Sequence, residues 1–329
     1  MKKHRILPSL ILTLLISSLL LISCKSENRS LSREETLQEL DAQIARHKND
    51  ASLYYQRAVT LMALGKEKNQ SKYYNEAIGD LKQAIKIDDS QCDYFTSLGD
   101  AYFAIGNIGE SYSALQKALT IDDKNLEASL KMAEISYVSH NYDRAIESLN
   151  TVTAQDKDNQ TALFMKGLIY KENQDTANAV FYFRRLTELY PDFAPAYEEL
   201  GMLYSQHRNK LGLEYLTTAL RLDSTNINVL YAIAQTYQDV EDAENATYYY
   251  VRMLELDPQN KYAWFNRGRM EMELYEDYNN AVDFFSKAID CDPNFAEAHY
   301  NRGLSYELMG DKAKAKECYD RAKELGFEK

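Results

Sequence analysis

Side chains that could perform acid–base, nucleophilic or metal chemistry are scattered through the chain and form no known catalytic pattern. The five histidines stand far apart in the sequence, at His4, His47, His140, His207 and His299. No H-E-x-x-H zinc motif, G-x-S-x-G nucleophile elbow or phosphate-binding glycine loop is present. Acid pairs such as Asp88-Asp89 and Asp122-Asp123 stand at equivalent places, where aspartate is typical of turns. We therefore expect no enzyme activity, metal or cofactor, and we expect each histidine to be solvated or to lie in a loop.

The cysteines also lack a metal-binding spacing. Three of the four lie in the body of the chain, at Cys92, Cys291 and Cys318. Export would permit disulfides, but spacing alone does not pair cysteines. A bond between Cys291 and Cys318 is conceivable, and packed free thiols are the favoured interpretation.

Composition narrows the class of protein. Acidic residues outnumber basic residues by 50 to 38 among 329 residues, which gives a formal net charge of -12. Nucleic-acid binding needs a basic face, so no nucleic-acid partner is expected. Only 12 glycines and 5 prolines occur, while 45% of the residues are hydrophobic. This composition favours a folded and mostly helical chain.

Small residues recur with a period close to 34 residues. One column holds Ala58, Gly99, Ala133, Gly167, Gly201, Ala234, Gly268 and Gly303. The intervals between its members are 41, 34, 34, 34, 33, 34 and 35 residues. A second column holds Ala77, Ser111, Ala145, Ala179, Gly212, Ala246, Ala281 and Ala315. A fixed period of this kind is the signature of a repeat protein, in which each unit packs on the next.

Each period predicts two helices joined by a turn. In the first helix, large residues flank the small one at helical spacing, as Tyr197 and Tyr204 flank Gly201. In the second helix, a large apolar residue follows the small one by four positions, as Phe183 follows Ala179. Proline, which cannot continue a helix, ends several second helices, at Pro191, Pro258 and Pro293. The small residues indicate close helix crossings, where a bulky side chain would cost about 1–3 kcal/mol.

The repeated unit resembles the tetratricopeptide repeat, a helix–turn–helix pair of about 34 residues. The matching residues of the seventh unit are Trp264, Gly268, Tyr278, Ala281, Phe285, Ala288 and Pro293. The resemblance implies an all-α fold, a right-handed α-solenoid of about eight such repeats. We place the repeats at 51–91, 92–125, 126–159, 160–193, 194–226, 227–260, 261–295 and 296–329. The first is too long, and we expect its extra residues, Lys66–Tyr73, to form an exposed loop.

The resemblance also implies that partners bind on a concave face lined by the first helices. Helical spacing then predicts two inward columns of residues. The aromatic column holds Tyr55, Phe164, Tyr231, Phe265 and Tyr300. The polar column holds Asp100, Glu134, Gln235 and Arg269. These residues suit an extended peptide or a helix, and the alternative is that some of the rings pack between neighbouring repeats.

Two asparagines stand directly before Arg-Gly pairs, Asn266 and Asn301. In related repeats an asparagine at this position binds a peptide backbone, so the resemblance adds both residues to the predicted groove. The additional residues with which some family members grip a terminal carboxylate are replaced here. Because the chain is acidic, we expect a basic or neutral partner segment.

The start of the chain predicts export and lipid attachment. A basic start is followed by an apolar run and then by Leu21-Ile22-Ser23-Cys24. This segment resembles a bacterial lipoprotein signal, which implies removal of residues 1–23 and a lipid on Cys24. The mature chain would carry a net charge of -15, and Lys25 favours the outer membrane. The alternative is an uncleaved transmembrane helix.

After the signal we expect a tether at 24–31 and a capping helix within 32–50. Ser32 and Glu35 form a possible capping box, and Leu37, Leu40 and Ile44 share one helical face. The whole pattern predicts a non-catalytic protein–protein adaptor or scaffold, lipid-anchored in the bacterial cell envelope and facing the periplasm or the surface. The alternatives are a self-assembling structural protein, joined through its C-terminal repeat, and a glycan-binding lipoprotein.

Overall fold

A computed structural model describes residues 32–206 and 211–327, and every regular element in these residues is an α-helix. The predicted signal peptide, Cys24 and the tether lie outside the described residues. The helices are α1 (Arg33–Arg46), α2 (Ala51–Lys68), α3 (Ser71–Ile87), α4 (Cys92–Ala104), α5 (Ile108–Ile121), α6 (Leu126–Val138), α7 (Tyr142–Gln155), α8 (Gln160–Glu172), α9 (Thr176–Leu189), α10 (Ala194–Gln206), α11 (Leu211–Leu222), α12 (Ile227–Asp239), α13 (Ala243–Leu256), α14 (Lys261–Glu273), α15 (Tyr278–Cys291), α16 (Ala296–Leu308) and α17 (Lys312–Glu324).

The helices form two compact units, one up to Asn141 and the other from Tyr142. In the N-terminal unit α1 packs on α2, and the pairs α2–α3 and α4–α5 stack in order, followed by α6. In the C-terminal unit the pairs from α8–α9 to α16–α17 stack, with each second helix contacting the first helix of the next pair. This stacking of helix pairs confirms the predicted all-α solenoid fold.

Asparagine and aspartate residues set where the helices begin. Four first helices follow an asparagine whose side chain accepts a hydrogen bond from the backbone three residues later, at Asn125, Asn159, Asn226 and Asn260. Four second helices follow an aspartate that does the same, at Asp175, Asp242, Asp277 and Asp311. These caps satisfy N–H groups that have no partner within the helix. Because the caps recur with the repeat, the same turns recur with it.

The small-residue column lies where the two helices of a pair cross. Gly167 on α8 faces Phe183 on α9, and a Cβ at Gly167 would lie 2.5 Å from Phe183 Cε1. A Cβ at Gly99 on α4 would lie 2.6 Å from Leu115 Cγ on α5. Phe183 and Leu115 are completely buried. The predicted close crossing of helices is therefore confirmed, since even one methyl group would overlap a core side chain.

The extra residues of the first repeat lengthen its helices, so the expectation of an exposed loop is wrong. Helix α2 has 18 residues, whereas α8 and α12 have 13, and only Asn69 and Gln70 separate α2 from α3. Lysine and glutamate favour helix, and Asn69 ends α2 in the left-handed conformation at φ 50°. The added turn forms two ion pairs with the start of α1, Glu67 with Arg33 and Lys68 with Glu34.

Helix α1 begins at the predicted capping box and covers α2. Ser32 Oγ accepts a hydrogen bond from Glu35 N at 3.2 Å, and a Glu35 carboxylate oxygen accepts one from Ser32 N at 2.8 Å. Leu40 and Ile44 are buried and form a cluster with Leu53 of α2. The apolar face predicted for this helix therefore packs against the first repeat.

Candidate functional site

Tyr231 is the centre of a polar network on the first helices of the C-terminal unit. It lies on α12, and its Oη accepts a hydrogen bond from Gln235 Nε2 at 2.8 Å. Asn266 Nδ2, on α14 of the next repeat, donates to the same oxygen at 3.4 Å. A phenol hydroxyl can accept hydrogen bonds and has one proton to donate. Because Tyr231 is the acceptor in both of these hydrogen bonds, its O–H is left to donate to a further group.

A cavity of about 410 Å³ lies beside this network, between α10 and α12. Met202 and Ala232 supply apolar surface, while the exposed Asn228 and Gln235 add amide groups. The remaining lining residues are Ser205, Tyr231, Thr236 and Asp239. A concave surface that combines apolar area with a few placed polar groups is typical of a binding site.

The two predicted asparagines lie in different surroundings. Asn266 is only 5% exposed, and its amide points to Tyr231. Asn301 Nδ2 donates to the carbonyl oxygen of Glu297 at 2.8 Å, one turn earlier in α16. Asn266 therefore joins the Tyr231 network, whereas Asn301 hydrogen-bonds within its own helix.

The four other residues of the aromatic column are half-buried, and each packs on a second aromatic ring. For the first three of them this second ring lies in or next to the following repeat, and for Tyr300 it lies at the end of the last repeat. The ring centroids lie 4.9 Å apart for Tyr55 and Tyr94, 5.3 Å for Phe164 and Phe193, 5.0 Å for Phe265 and Phe295, and 4.8 Å for Tyr300 and Phe327. Edge-to-face and tilted ring pairs at such distances are favourable. These rings fix the spacing of the repeats, which is the packing role that stood as the alternative to partner contact.

The charged residues of the polar column are paired within the chain. Lys131 Nζ lies 2.6 Å from Asp100 Oδ1 and 3.6 Å from Glu134 Oε2. Although burial opposes its charge, the ion pair with Asp100 raises the pKa of Lys131. Arg269 binds Glu273 on its own helix through Nε and Nη2, each at 3.0 Å. Lys131 therefore partly neutralises the acidic pair that was expected to attract a basic partner.

Glu198 on α10 lies close to this surface but is missing from the predicted set. It is half-buried, and Asn226 Nδ2, at the start of α12, donates to its Oε2 at 2.9 Å. Burial raises the pKa of Glu198. The column itself could have identified it, since Glu198 stands three residues before Gly201 as Tyr231 stands three before Ala234.

Within residues 32–206 and 211–327, no three metal-binding side chains come together. No helix in this part of the chain combines the length and the apolar character that a membrane crossing requires. The expectation of a solvated histidine is wrong for His299, which is 6% exposed, and burial lowers its pKa. Cys92, Cys291 and Cys318 are free thiols, of which Cys318 is buried.

Family models match six ranges of this helical array. Models described as tetratricopeptide repeat match residues 51–79, 102–165, 160–193, 227–260 and 296–325. A model described as TPR repeat matches residues 276–310. Together these matches cover more than half of the chain.

Similar proteins share the fold at low sequence identity. DnaJ homolog subfamily C member 7 of Mus musculus is 28% identical over 222 residues, which are 65% of this chain and 38% of that protein. The C-terminal part of a TPR repeat-containing protein from Cytophaga hutchinsonii has a TM-score of 0.60 and 20% identity, covering 70% of this chain and 95% of the other. The structure of pilF from Pseudomonas aeruginosa has a TM-score of 0.54 and 22% identity, and the match covers 68% of this chain and 97% of the other. The solved structures support the fold, and the chain spans well under half of the curated relative.

Proposed function

This chain is a tetratricopeptide repeat protein, and from that premise we propose that it is a non-catalytic scaffold of the bacterial cell envelope that binds a segment of another protein. The observation that carries the proposal is the Tyr231 network beside the cavity between α10 and α12. A peptide backbone offers both carbonyl and N–H groups. A surface with a free hydroxyl donor, amides and apolar area suits such a segment.

We assign a role to each group at this surface. The Tyr231 O–H donates to a backbone carbonyl of the bound segment, and Gln235 Oε1 accepts from a backbone N–H. Met202 and Ala232 contact an apolar side chain of the segment. Asn266 holds the Tyr231 hydroxyl in place before binding. A surface arranged in advance loses less conformational entropy when the partner binds.

Photocrosslinking in intact cells tests this surface. We replace Gln235 with a photoreactive amino acid and expect one discrete adduct after illumination, because this side chain is exposed at the cavity. The matched control is the same replacement at Tyr248, which is 54% exposed on α13 of the same repeat. Denaturing gels give the mass of the adduct, and peptide sequencing identifies it. Equal adducts from both positions would contradict the proposal, and an adduct of two copies of this chain would favour self-assembly.

Tyr231→Phe should lower the yield of the Gln235 adduct, since it removes only the hydroxyl group. One hydrogen bond contributes about 0.5–1.5 kcal/mol, which corresponds to roughly a 2- to 10-fold loss of affinity. An unchanged yield would mean that the hydroxyl does not contact the partner.

A lipid on Cys24 would hold the scaffold at the membrane, and the basic start, the apolar run and Leu21-Ile22-Ser23-Cys24 support it. Two or more acyl chains give stable anchoring. We expect an alkyne-tagged fatty acid fed to the cells to label the wild-type chain and not Cys24→Ala. Equal labelling of both chains would rule out this anchor, and an unlabelled wild-type chain that keeps residues 1–23 would favour the transmembrane alternative.

A further inference from the structure

The turns between the two helices of the last three repeats expose apolar side chains. Val240 follows α12 and is 69% exposed, and Tyr275, which follows α14, is 53% exposed. We call the whole set the turn ridge, and its members are Val240, Leu274, Tyr275, Leu308 and Met309. Isolated exposed apolar residues are common, but this set recurs at equivalent turns in three consecutive repeats and therefore calls for an explanation.

The fold places the members of the turn ridge along one edge of the C-terminal unit. Each member lies at the end of the first helix of a pair, on α12, α14 or α16, or directly after it. These pairs stack in order, with α13 against α14 and α15 against α16. The turns at the ends of equivalent helices therefore follow one another, and this edge adjoins the cavity beside Tyr231 at Asp239, which belongs to both.

Neither the backbone nor the core requires apolar residues at these turns. The equivalent residue of the fourth repeat is Asn173, which has φ -77° and ψ 6°. Val240 has φ -103° and ψ 13°, and Met309 has φ -77° and ψ -11°. A polar residue thus adopts almost the same conformation in another repeat of this chain. Because the apolar members are exposed, packing within the chain does not explain them.

The residues around the turn ridge are strongly acidic. The segments 239–243, 273–278 and 307–312 hold eight acidic residues and one basic residue, Lys312. Among the described residues, Asp239, Glu241 and Glu276 form no ion pair. An apolar strip bordered by negative charge repels anionic lipid and a second acidic edge of the same kind. It attracts apolar side chains that are flanked by positive charge.

We propose that the turn ridge binds an amphipathic helix of a partner protein, whose apolar face is bordered by lysine and arginine. The apolar face covers Val240, Leu274 and Met309, and the basic borders lie against Glu241 and Glu276. An amphipathic helix presents its apolar residues at intervals of three and four positions, which suits a row of separated apolar contacts. This surface is additional to the one proposed beside Tyr231, and each can be tested without the other.

The probe is a fluorescein-labelled helical peptide of about 18 residues, with leucine on one face and lysine elsewhere. We expect fluorescence anisotropy to show that it binds the purified full chain, whereas the same peptide with glutamate in place of lysine does not bind. The triple variant Val240→Asn, Leu274→Asn and Met309→Asn should weaken binding by at least about tenfold, since it removes apolar area and keeps the charge. The variant Glu241→Gln with Glu276→Gln should weaken binding and reduce its dependence on salt.

Tyr231→Phe is the matched control, because it changes the other surface and should leave binding of the lysine peptide unchanged. Undiminished binding by the triple asparagine variant would overturn the proposal, since charge alone would then explain the affinity. Sedimentation velocity and flotation with phosphatidylglycerol vesicles test the other two occupants. Self-association that the triple variant loses would assign the turn ridge to a second copy of the chain, and vesicle binding that it loses would assign the ridge to a membrane. Either result would overturn the proposal of a partner helix.

Discussion

Replacing Asp80 with alanine should lower the free energy of unfolding by about 3 kcal/mol. Asp80 is 7% exposed on α3, and it accepts hydrogen bonds from Arg57 Nε at 2.7 Å and Nη2 at 2.6 Å. The hydrogen bond to Asp80 is the main reason why the pKa of Arg57 is raised. Without this carboxylate, the Arg57 side chain, which is three-quarters buried, keeps the solvent-facing Asp41 as its one anionic partner among the described residues. Urea unfolding followed by circular dichroism measures the loss.

Asp41→Ala is the matched control, because it removes the other carboxylate from the same guanidinium. The Asp41 side chain is 60% exposed on α1, and exposed ion pairs contribute at most about 1 kcal/mol. The double variant Arg57→Leu with Asp80→Leu should recover most of the stability, because two apolar side chains leave no buried charge unpaired. Equal losses from Asp41→Ala and Asp80→Ala would show that burial of the pair is not what matters.

The fold could be predicted because its main constraints recur. Every helix pair must cross closely, so a small residue stands at the same position in each repeat, as Gly99 and Gly167 do. Every helix of a pair must also begin at a fixed point, so the asparagine and aspartate residues that cap the helices recur with the repeat. The lengthening of α2 has no counterpart in the other repeats. There local helix propensity and the ion pairs with α1 decide between a loop and two more helical turns, and a comparison of repeats carries no information about either.

The candidate site could be predicted only in part, because a column tells which residues share a face and not what each one contacts. Phe265 and Tyr231 belong to the same column, but Phe295 stands before the next first helix and covers Phe265. At the end of the repeat of Tyr231 the residue equivalent to Phe295 is Asn260, which caps α14. The ring of Tyr231 therefore lacks that aromatic cover, and its hydroxyl meets Asn266 instead. The ring of Tyr231 still packs on Tyr250, with the centroids 6.4 Å apart, so the residue that ends the repeat decides only whether a second ring covers it.

Gly167→Ala should lower the free energy of unfolding by about 2 kcal/mol, although alanine is the better helix former. Helix propensity alone favours alanine by about 1 kcal/mol, but overpacking at a fixed crossing costs up to about 3 kcal/mol. A Cβ at this position would lie 2.5, 2.8 and 2.9 Å from three ring carbons of Phe183. That ring is completely buried in a cluster with Leu186 and Leu200, so the surrounding side chains oppose its displacement. Urea unfolding of the two chains measures the difference.

A second substitution separates ring overlap from any other requirement for glycine. The double variant Gly167→Ala with Phe183→Leu recreates the pair formed by Ala58 and Leu81, which are both completely buried in the first repeat. It should be more stable than the sum of the two single losses predicts, by at least about 1 kcal/mol. Gly79→Ala on α3 is the control for helix propensity, because nothing lies within 4 Å of its added methyl group, and it should stabilise the chain by up to about 1 kcal/mol. If the losses of stability at Gly167 and Phe183 simply add, overlap between these two residues does not determine the distance between the helices. The recurring small residues would then be a consequence of the close helix spacing and not its cause.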